Sequence, residues 1–370
     1  MCDGGSRSGR GGRPGRCNAT VGPISDERDL RLGWPEMAVE RWRALGCPER
    51  AGRVSRLDRG WSTILRSLDG AVMRVRNIGA DVAVGDFVVV SDDEERVAEV
   101  LPRRSAFTRR ASFEGDRAEA HTIAANIDVV MLVHALSSLP NQRRLERELV
   151  LAWDSGATPM VVLTKGDLVD AAQAEETVRV LGDVAPGVEI AVASGISGVG
   201  VEALRHHADG NRTIALLGAS GVGKSTLVNA LVGHSRMATG VVREGDQRGR
   251  HTTTASELIR LPGDGWLVDT PGVRAVSLWS SGRGIEFAFR DIFDLMDDCR
   301  FRDCKHESEP GCAVTAAVGA GTLDPRRLES MKRLVAEEAV LEAEQRAQEK
   351  TLDRRGARRP RPARPPRPAS

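Results

Sequence analysis

Apolar positions along the chain fall into three successive textures. Little periodicity precedes residues 36 to 46, where one short helix fits. From Arg53 to about Leu101 short alternating or β-branched runs follow, "AVMRVRNI", "DFVVVSD" and "RVAEVL", separated by Gly-Asp and Asp-Gly turns. Closely spaced short strands predict a small barrel, with an OB-like fold the natural candidate and an SH3-like barrel equally compatible with propensity. From residue 127 continuous apolar runs alternate with helical ones: "DVVMLVHAL", the amphipathic "RRLERELVLAWDSG", "MVVLTKGD", "EIAVASG" and "TIALLGASGVGKSTLVNAL". That alternation predicts a parallel α/β sheet covered on both faces. "SELIRL" and "GWLVDTPG" around the "PGDG" turn predict a hairpin, and residues 326 to 350 a charged helix with Leu328, Met331, Leu334, Val335 and Leu341 on one side.

Five stretches result. Residues 1–48 are an Arg/Gly-rich disordered tail and short helix, and 49–110 an OB-like barrel with a basic linker. Residues 111–273 form the α/β nucleotide domain, 274–350 a metal-binding helical module, and 351–370 a basic Arg/Pro-rich tail. The linker "RRSAFTRR" places Arg103, Arg104, Arg109 and Arg110 close together, as phosphate contacts or as a solvated connector.

Charge changes the picture at the ends. The net charge is +1, but residues 353–370 carry +6 and residues 1–17 carry +3, which leaves −8 on the body between. Tails of that composition cannot build a core, and they suit either a polyanionic partner or simple solvation. No run of eighteen apolar residues and no apolar leader exist, so the expectation is a cytoplasmic protein without a membrane partner. Six cysteines are too few for a disulfide scaffold at 370 residues.

"GASGVGKST" matches G-x-x-x-x-G-K-[ST] between a strand and a helix. Gly218, Ala219, Ser220, Gly221, Val222 and Gly223 would wrap phosphates with backbone N–H groups at a helix N-terminus, and Thr226 closes the motif. Lys224 would neutralise the β- and γ-phosphates, and Ser225 would ligate Mg²⁺. Asp269 of "WLVDTPG" would hold the metal shell, with the Gly272 N–H at the γ-phosphate. "GRHTTT", residues 249–254, lies between and reads as a switch loop, with Thr253 the expected Mg²⁺ ligand.

"TKGD" decides the base. The Asp167 carboxylate can accept from both N1–H and the 2-amino group of guanine, which adenine cannot offer, while Lys165 lays its stem along the base. Thr164 stands where Asn is usual, a substitution expected to lose an amide that bridges loop and base, at a cost in affinity but not in specificity. "ASG" contributes Ser194 and puts the Gly195 N–H near guanine O6. Base loop thus precedes phosphate loop, a GTPase order cut and rejoined, which a compact domain with neighbouring termini tolerates. An ATP-using kinase is the rival, and it leaves Asp167 without a purpose.

"CRFRDCKHESEPGC" spaces Cys299, Cys304, His306 and Cys312 as a closed structural set for one Zn²⁺, with a redox-sensing cluster as the alternative.

In this combination and order the motifs resemble the RsgA (YjeQ) family of circularly permuted GTPases, over about residues 50–340. The resemblance implies a circularly permuted P-loop GTPase domain with an N-terminal OB-like barrel and a C-terminal zinc module. It implies binding to the small (30S) ribosomal subunit and its 16S rRNA late in subunit maturation, with GTP hydrolysis triggered there and followed by release. Val273 follows "DTPG" where many GTPases carry a water-orienting Gln, and an aliphatic side chain cannot do that work. His251 is the best substitute and the resemblance suggests it too, with packing or RNA contact as its other roles. The expectation is a monomer; a GTP-gated rRNA-binding scaffold with incidental hydrolysis is the alternative.

Overall fold

A computed structural model describes residues 32–58, 60–67, 69–110, 120–233, 256–269 and 283–356. By packing, the chain divides into two units: Met1–Asn141 with Ser155–Ser277, and Gln142–Asp154 with Leu278–Ser370.

The first unit begins with helix α1 (Glu36–Ala44) and strands β1 (Ala51–Asp58), β2 (Trp61–Arg66), β3 (Val72–Arg76), β4 (Phe87–Val90) and β5 (Val97–Val100). β1 pairs with both β2 and β4, β2 with β3, and β4 with β5, all antiparallel. A parallel bridge from Arg76 to Arg96 joins the end of β3 to the start of β5 and closes the ring in the order 1-2-3-5-4. That closure is the five-stranded OB arrangement and separates it from the SH3-like alternative. Alternating β-branched residues fill the inside: Val54, Ile64, Val75, Val88, Val90 and Val97 form one buried cluster.

Strands β6 (Ala106–Arg110) and β7 (Ala120–Ala125) pair as an antiparallel ribbon. Two of the four linker arginines, Arg103 and Arg104, are engaged within the fold, which tells against phosphate contacts for that pair. Arg103 donates to both oxygens of buried Asp86 at 2.7 Å, to Thr122 and to the Asp81 carbonyl. Arg104 pairs with Asp128. Burial pushes the Asp86 carboxyl above its ordinary range and Arg103 opposes that push, so a buried charge and its counterion hold the barrel's exit in place. The Arg109 and Arg110 side chains lie outside what is described.

Next come β8 (Val129–Ala135), α2 (Gln142–Ser155), β9 (Thr158–Thr164), α3 (Ala171–Val184), β10 (Glu189–Val192), α4 (Val201–His206), β11 (Thr213–Leu217), α5 (Lys224–Val232) and the hairpin β12 (Glu257–Arg260) with β13 (Trp266–Asp269). The sheet order is β10-β9-β8-β11-β13-β12, continuing through β1, β2 and β3 of the barrel. The chain builds outward from β8 to β10, then returns to lay β11 on the other side of β8. This reversal places a ligand crevice at the carboxyl ends of β8 and β11. Val133, Met160, Val162, Ile214, Leu227 and Leu231 pack beneath it.

The hairpin also carries the barrel. Arg56 of β1 stands opposite Glu257 of β12, which stands opposite Asp269 of β13; on the other side Arg56 faces Thr63 of β2, and Thr63 faces Arg74 of β3. One cross-strand row therefore runs from the predicted metal residue to the barrel's outer strand.

Buried Arg53 holds the same joint from inside. Its guanidinium donates to the carbonyls of Leu32 (2.7 Å), Gly85 (3.2 Å) and Asn126 (3.2 Å) and to the Thr213 hydroxyl (2.7 Å).

The second unit comprises α2 and helices α6 (Arg283–Ala288), α7 (Arg290–Met296), α8 (Ala313–Gly319) and α9 (Pro325–Gly356). Arg327, 3% exposed, makes a bidentate pair with Asp291, reaches the Ala288 carbonyl and lies over the Phe289 ring. Glu146 of α2 accepts from Ser330 of α9 and lies 3.9 Å from Arg327. The expected stripe on α9 is corrected in part. Met331 and Leu334 are buried and Leu328 and Leu341 half-buried, but Val335 is 43% exposed, and Arg327 and Ser330 take the buried positions beside them. Those polar groups are tolerated inside because each has a partner. Among the described residues no helix is long and apolar enough to cross a membrane.

Candidate active site and metal centre

The loop after β11 and the helix α5 sit at the crevice. Gly223 caps α5 in the left-handed region, at φ +96°, which an L side chain would resist, and so turns the N–H groups of the next residues toward the loop's hollow. Lys224 donates to the Gly218 and Ala219 carbonyls, the first at 2.8 Å, so its ammonium already lies along the loop that would receive phosphates. Ser225 is half-buried at the first turn of α5, and Asp269 half-buried at the end of β13, two strands from β8 across β11. A hydroxyl and a carboxylate are hard oxygen donors of the kind Mg²⁺ takes alongside phosphates, so these residues fit that ion.

The base loop is tied to this loop by a contact the sequence did not disclose. The Thr164 hydroxyl lies 3.1 Å from the His134 carbonyl and closer still to the Val222 carbonyl of the phosphate loop. Thr164 thus bridges the base loop to the P-loop, a contact separate from the loop-to-base amide that Asn would supply. Removing only the hydroxyl, with Thr164→Val, is expected to raise the GTP dissociation constant about 2- to 10-fold, the worth of one hydrogen bond whose acceptor is left behind. Thr164→Ser is expected to stay near wild type. Titration with a fluorescent GTP analogue checks this, and equal affinity for the Val variant would dismiss the bridge.

Lys165 adopts the left-handed conformation, at φ 61°, and begins the 3₁₀ turn Gly166–Leu168. Ser194 fixes Asp167: its hydroxyl accepts from the Ile196 and Ser197 N–H groups and donates to Asp167 Oδ1 at 2.6 Å. One carboxylate oxygen is thereby oriented and the other remains for a ligand. Gly195 is required by close approach, since a Cβ there would lie 2.9 Å from the Thr226 carbonyl group. Residues of both base loops and of the P-loop are thus brought together. His251, Thr253, Gly272 and Val273 lie outside the described residues.

In the second unit the ligand atoms of Cys299, Cys304, His306 and Cys312 lie within 4.8 Å of one another. Cys299 Sγ is 3.9 Å from Cys312 Sγ, and His306 Nδ1 is 3.6 Å and 3.4 Å from these sulfurs. Bonds of about 2.3 Å to sulfur and 2.0 Å to nitrogen at tetrahedral angles require edges of roughly 3.5–3.8 Å. These three edges fit zinc, with His306 offering Nδ1 and Cys304 close by as the fourth donor. Glu309 shapes the knuckle between them: its carboxylate collects the N–H groups of Lys305, Glu307 and Ser308, which hold its pKa down to about 2.

Sequence reasoning passed over the outer face of the barrel, where Trp61 stands opposite Arg76. The guanidinium carbons of Arg74 and Arg76 lie 5.2 Å and 5.3 Å from the Trp61 ring centre. The signal was available in "VMRVR", whose arginines occupy the polar phase of an alternating strand.

A family model described as RsgA GTPase matches residues 100–279. The "Small ribosomal subunit biogenesis GTPase RsgA" of Streptomyces coelicolor is 43% identical over 83% of this chain and 86% of its own. The protein of that name from Methanosarcina acetivorans is 38% identical over 85% and 86%. The crystal structure of YjeQ from Thermotoga maritima superposes with a TM-score of 0.59 at 25% identity, covering 78% of this chain and 98% of that one. YloQ, described as a circularly permuted GTPase, gives 0.57 at 23% identity over 78% and 94%, a likeness of fold. With the base loop on β9 preceding the phosphate loop on β11, and a Cys₃His cluster later in the sequence than both, the chain belongs to the RsgA family of GTPases.

Proposed function

We propose that this protein hydrolyses GTP to GDP and phosphate as a step in maturation of the small ribosomal subunit, and that contact with the subunit triggers the reaction. The observation that carries the reading is the joining of a guanine-selective carboxylate to a phosphate loop, through Ser194 to Asp167 and Thr164 to Val222. The relatives' names supply the biological setting.

In this reading Asp167, with Lys165, Ser194 and the Gly195 N–H, holds the base. The loop from Gly218 to Gly223, with Lys224 and Thr226, holds the phosphates, joined by the Gly272 N–H. Ser225, Asp269 and Thr253 would hold Mg²⁺, which supplies neutralisation of the β- and γ-phosphate oxygens when bound. A water oxygen bonds to the γ-phosphorus as the bond from that phosphorus to the β–γ bridging oxygen breaks. GDP leaves with the bridging oxygen, and the water's proton passes to the departing phosphate or to solvent. His251 positions the water. Cys299, Cys304, His306 and Cys312 hold one structural zinc ion that keeps the knuckle folded.

The finer partner is the 16S rRNA of the 30S subunit, met by a monomer in the cytoplasm. The five-part division of the chain, with the GTPase domain over 111–273, belongs to the same proposal. The test is GTP and ATP turnover by the zinc-loaded protein, alone and with small subunits at matched salt. Subunits should stimulate GTP turnover alone, and His251→Ala should lower the stimulated rate about 100-fold while leaving nucleotide affinity near wild type. Confirmed subunit binding without stimulation would replace this reading with a GTP-gated scaffold.

A further inference from the structure

We infer that Arg205 is a positioning residue for guanine recognition, bracing the second base loop against the far end of the helix that carries the phosphate loop. The inference deepens the guanine reading of the site and rests on it. The loop from Ser194 to Val199 is closed on itself: the Ser194 N–H donates to the Val199 carbonyl and the Gly198 N–H to the Ser194 carbonyl, both at 2.9 Å. Helix α4 follows directly, so loop and helix form one piece. That piece meets α5 at its first turn, where Gly195 passes so close to Thr226 and Leu227 that no side chain fits. Along the middle, Val201 and Leu204 of α4 share a buried cluster with Leu227, Val228 and Leu231 of α5.

Apolar contact is non-directional and leaves the angle between the two helices loosely set. A groove lined by Gly195, Ser197, Glu202, Arg205 and Asn229 opens between them, so packing alone does not close that side. Arg205 crosses it. Its Nε donates to the Leu231 carbonyl at 3.0 Å and its Nη2 to the Ala230 carbonyl at 2.9 Å, both in the last turn of α5, where carbonyls lack a donor within the helix. The helix dipole favours a cation there as well. Glu202 pairs with the remaining nitrogen, and the Arg205 side chain is only 19% exposed. Helix α5 is nine residues long, about 13 Å, and carries Lys224 at its other end. Two attachments that far apart, close packing at Gly195 and a two-pronged hydrogen bond at Arg205, fix the loop's tilt as well as its place. The Gly195 N–H, which would meet guanine O6, is thereby held in register with the phosphate loop.

The experiment compares GTP with 6-thioguanosine triphosphate, which keeps N1–H and the 2-amino group and offers sulfur, a weak acceptor, in place of O6. Competition of each against a labelled GTP analogue on the full zinc-loaded chain gives both dissociation constants, and thermal melting checks folding. The unaltered chain is expected to prefer GTP about 5-fold, the worth of one hydrogen bond. Arg205→Met keeps most of the aliphatic stem and removes the brace. It should raise the dissociation constant about 5-fold for GTP and by less than about twofold for the analogue, so that the preference nearly disappears. Arg205→Lys offers one ammonium to both carbonyls and should lose part of the preference, about twofold. Glu202→Gln leaves the carbonyl contacts in place and should leave both constants at the wild-type values. A cap that only stabilises α5 would lower the melting temperature and raise both constants equally, and that result overturns the proposal. Should Arg205→Met not fold, an unchanged ratio in Arg205→Lys overturns it alone. Equal binding of the two nucleotides by the unaltered chain is a different failure: it removes the Gly195 contact with O6 from the guanine reading, and the brace falls with it.

Discussion

Asp167→Asn should turn a GTP-binding protein into one that prefers xanthosine triphosphate. The Ser194 hydroxyl spends its proton on Asp167 Oδ1, and its lone pairs accept from Ile196 and Ser197. An asparagine in the same place must turn its carbonyl oxygen toward that proton, which leaves its NH₂ facing the base. Guanine presents N1–H and a 2-amino group, both donors, so donor would meet donor. Xanthine carries a carbonyl at position 2 and accepts instead. GTP affinity is expected to fall about 10³-fold or more, as for other sites whose buried polar partner is left unmatched. Xanthosine triphosphate should recover most of the loss. Competition of the two nucleotides against a labelled analogue gives the answer, and an Asn variant that still prefers GTP would remove Asp167 from base selection. The double variant with Ser194→Ala should discriminate less sharply, since the amide is then free to flip.

Arg53→Ala is expected to lower the stability of the first unit by about 3–5 kcal/mol. Burial draws the Arg53 pKa down to about 9, still above neutrality, so the group is charged at physiological pH. Among the described residues no carboxylate touches it; three carbonyls and one hydroxyl share the charge, with Phe87 and Trp266 rings at 5.1 Å and 5.9 Å. Truncation strands the Leu32 and Asn126 carbonyls and the Thr213 hydroxyl away from water, while the Gly85 carbonyl keeps the Asn126 amide as a donor, and it leaves a cavity as well. Lysine should not rescue, because one ammonium with three donors cannot span contacts laid out for a planar fork. Urea unfolding followed by tryptophan fluorescence measures the effect. A midpoint within experimental error of the parent would mean that the joint between barrel and sheet is held by strand pairing alone.

The chemistry of the site was legible because it depends on local spacing. "GASGVGKST" and "TKGD" place their residues by sequence neighbours, and the strands beneath them are apolar throughout. The barrel was legible as short strands, but its closure came from a single long-range bridge, Arg76 to Arg96, that propensity does not encode. What periodicity hid was polar burial. Arg53 reads as a surface residue on an alternating strand and Arg327 as one of many charges on a long helix, yet both are inside because distant partners satisfy them. The grouping of Gln142–Asp154 with the C-terminal unit is hidden for the same reason: Glu146 meets Ser330 across 184 residues. The Thr164 bridge to the P-loop is hidden because its partner, the Val222 carbonyl, is a backbone group, which no side-chain pattern reveals.

The pairing of β1 with β12 also sets a timetable for synthesis. Arg56 leaves the ribosome about 200 residues before its partner Glu257, a wait of about 10–40 s at ordinary elongation rates. The barrel's apolar cluster lies wholly within residues 54–100 and can close early, but the stretch of β1 beyond its pairing with β4 stays open on one side until the hairpin arrives. An open strand edge invites pairing with neighbouring nascent chains. Arg56 and the irregularity between Val54 and Arg56 make this stretch charged and uneven during that interval. Features that later join two parts of one sheet would first act as its guard.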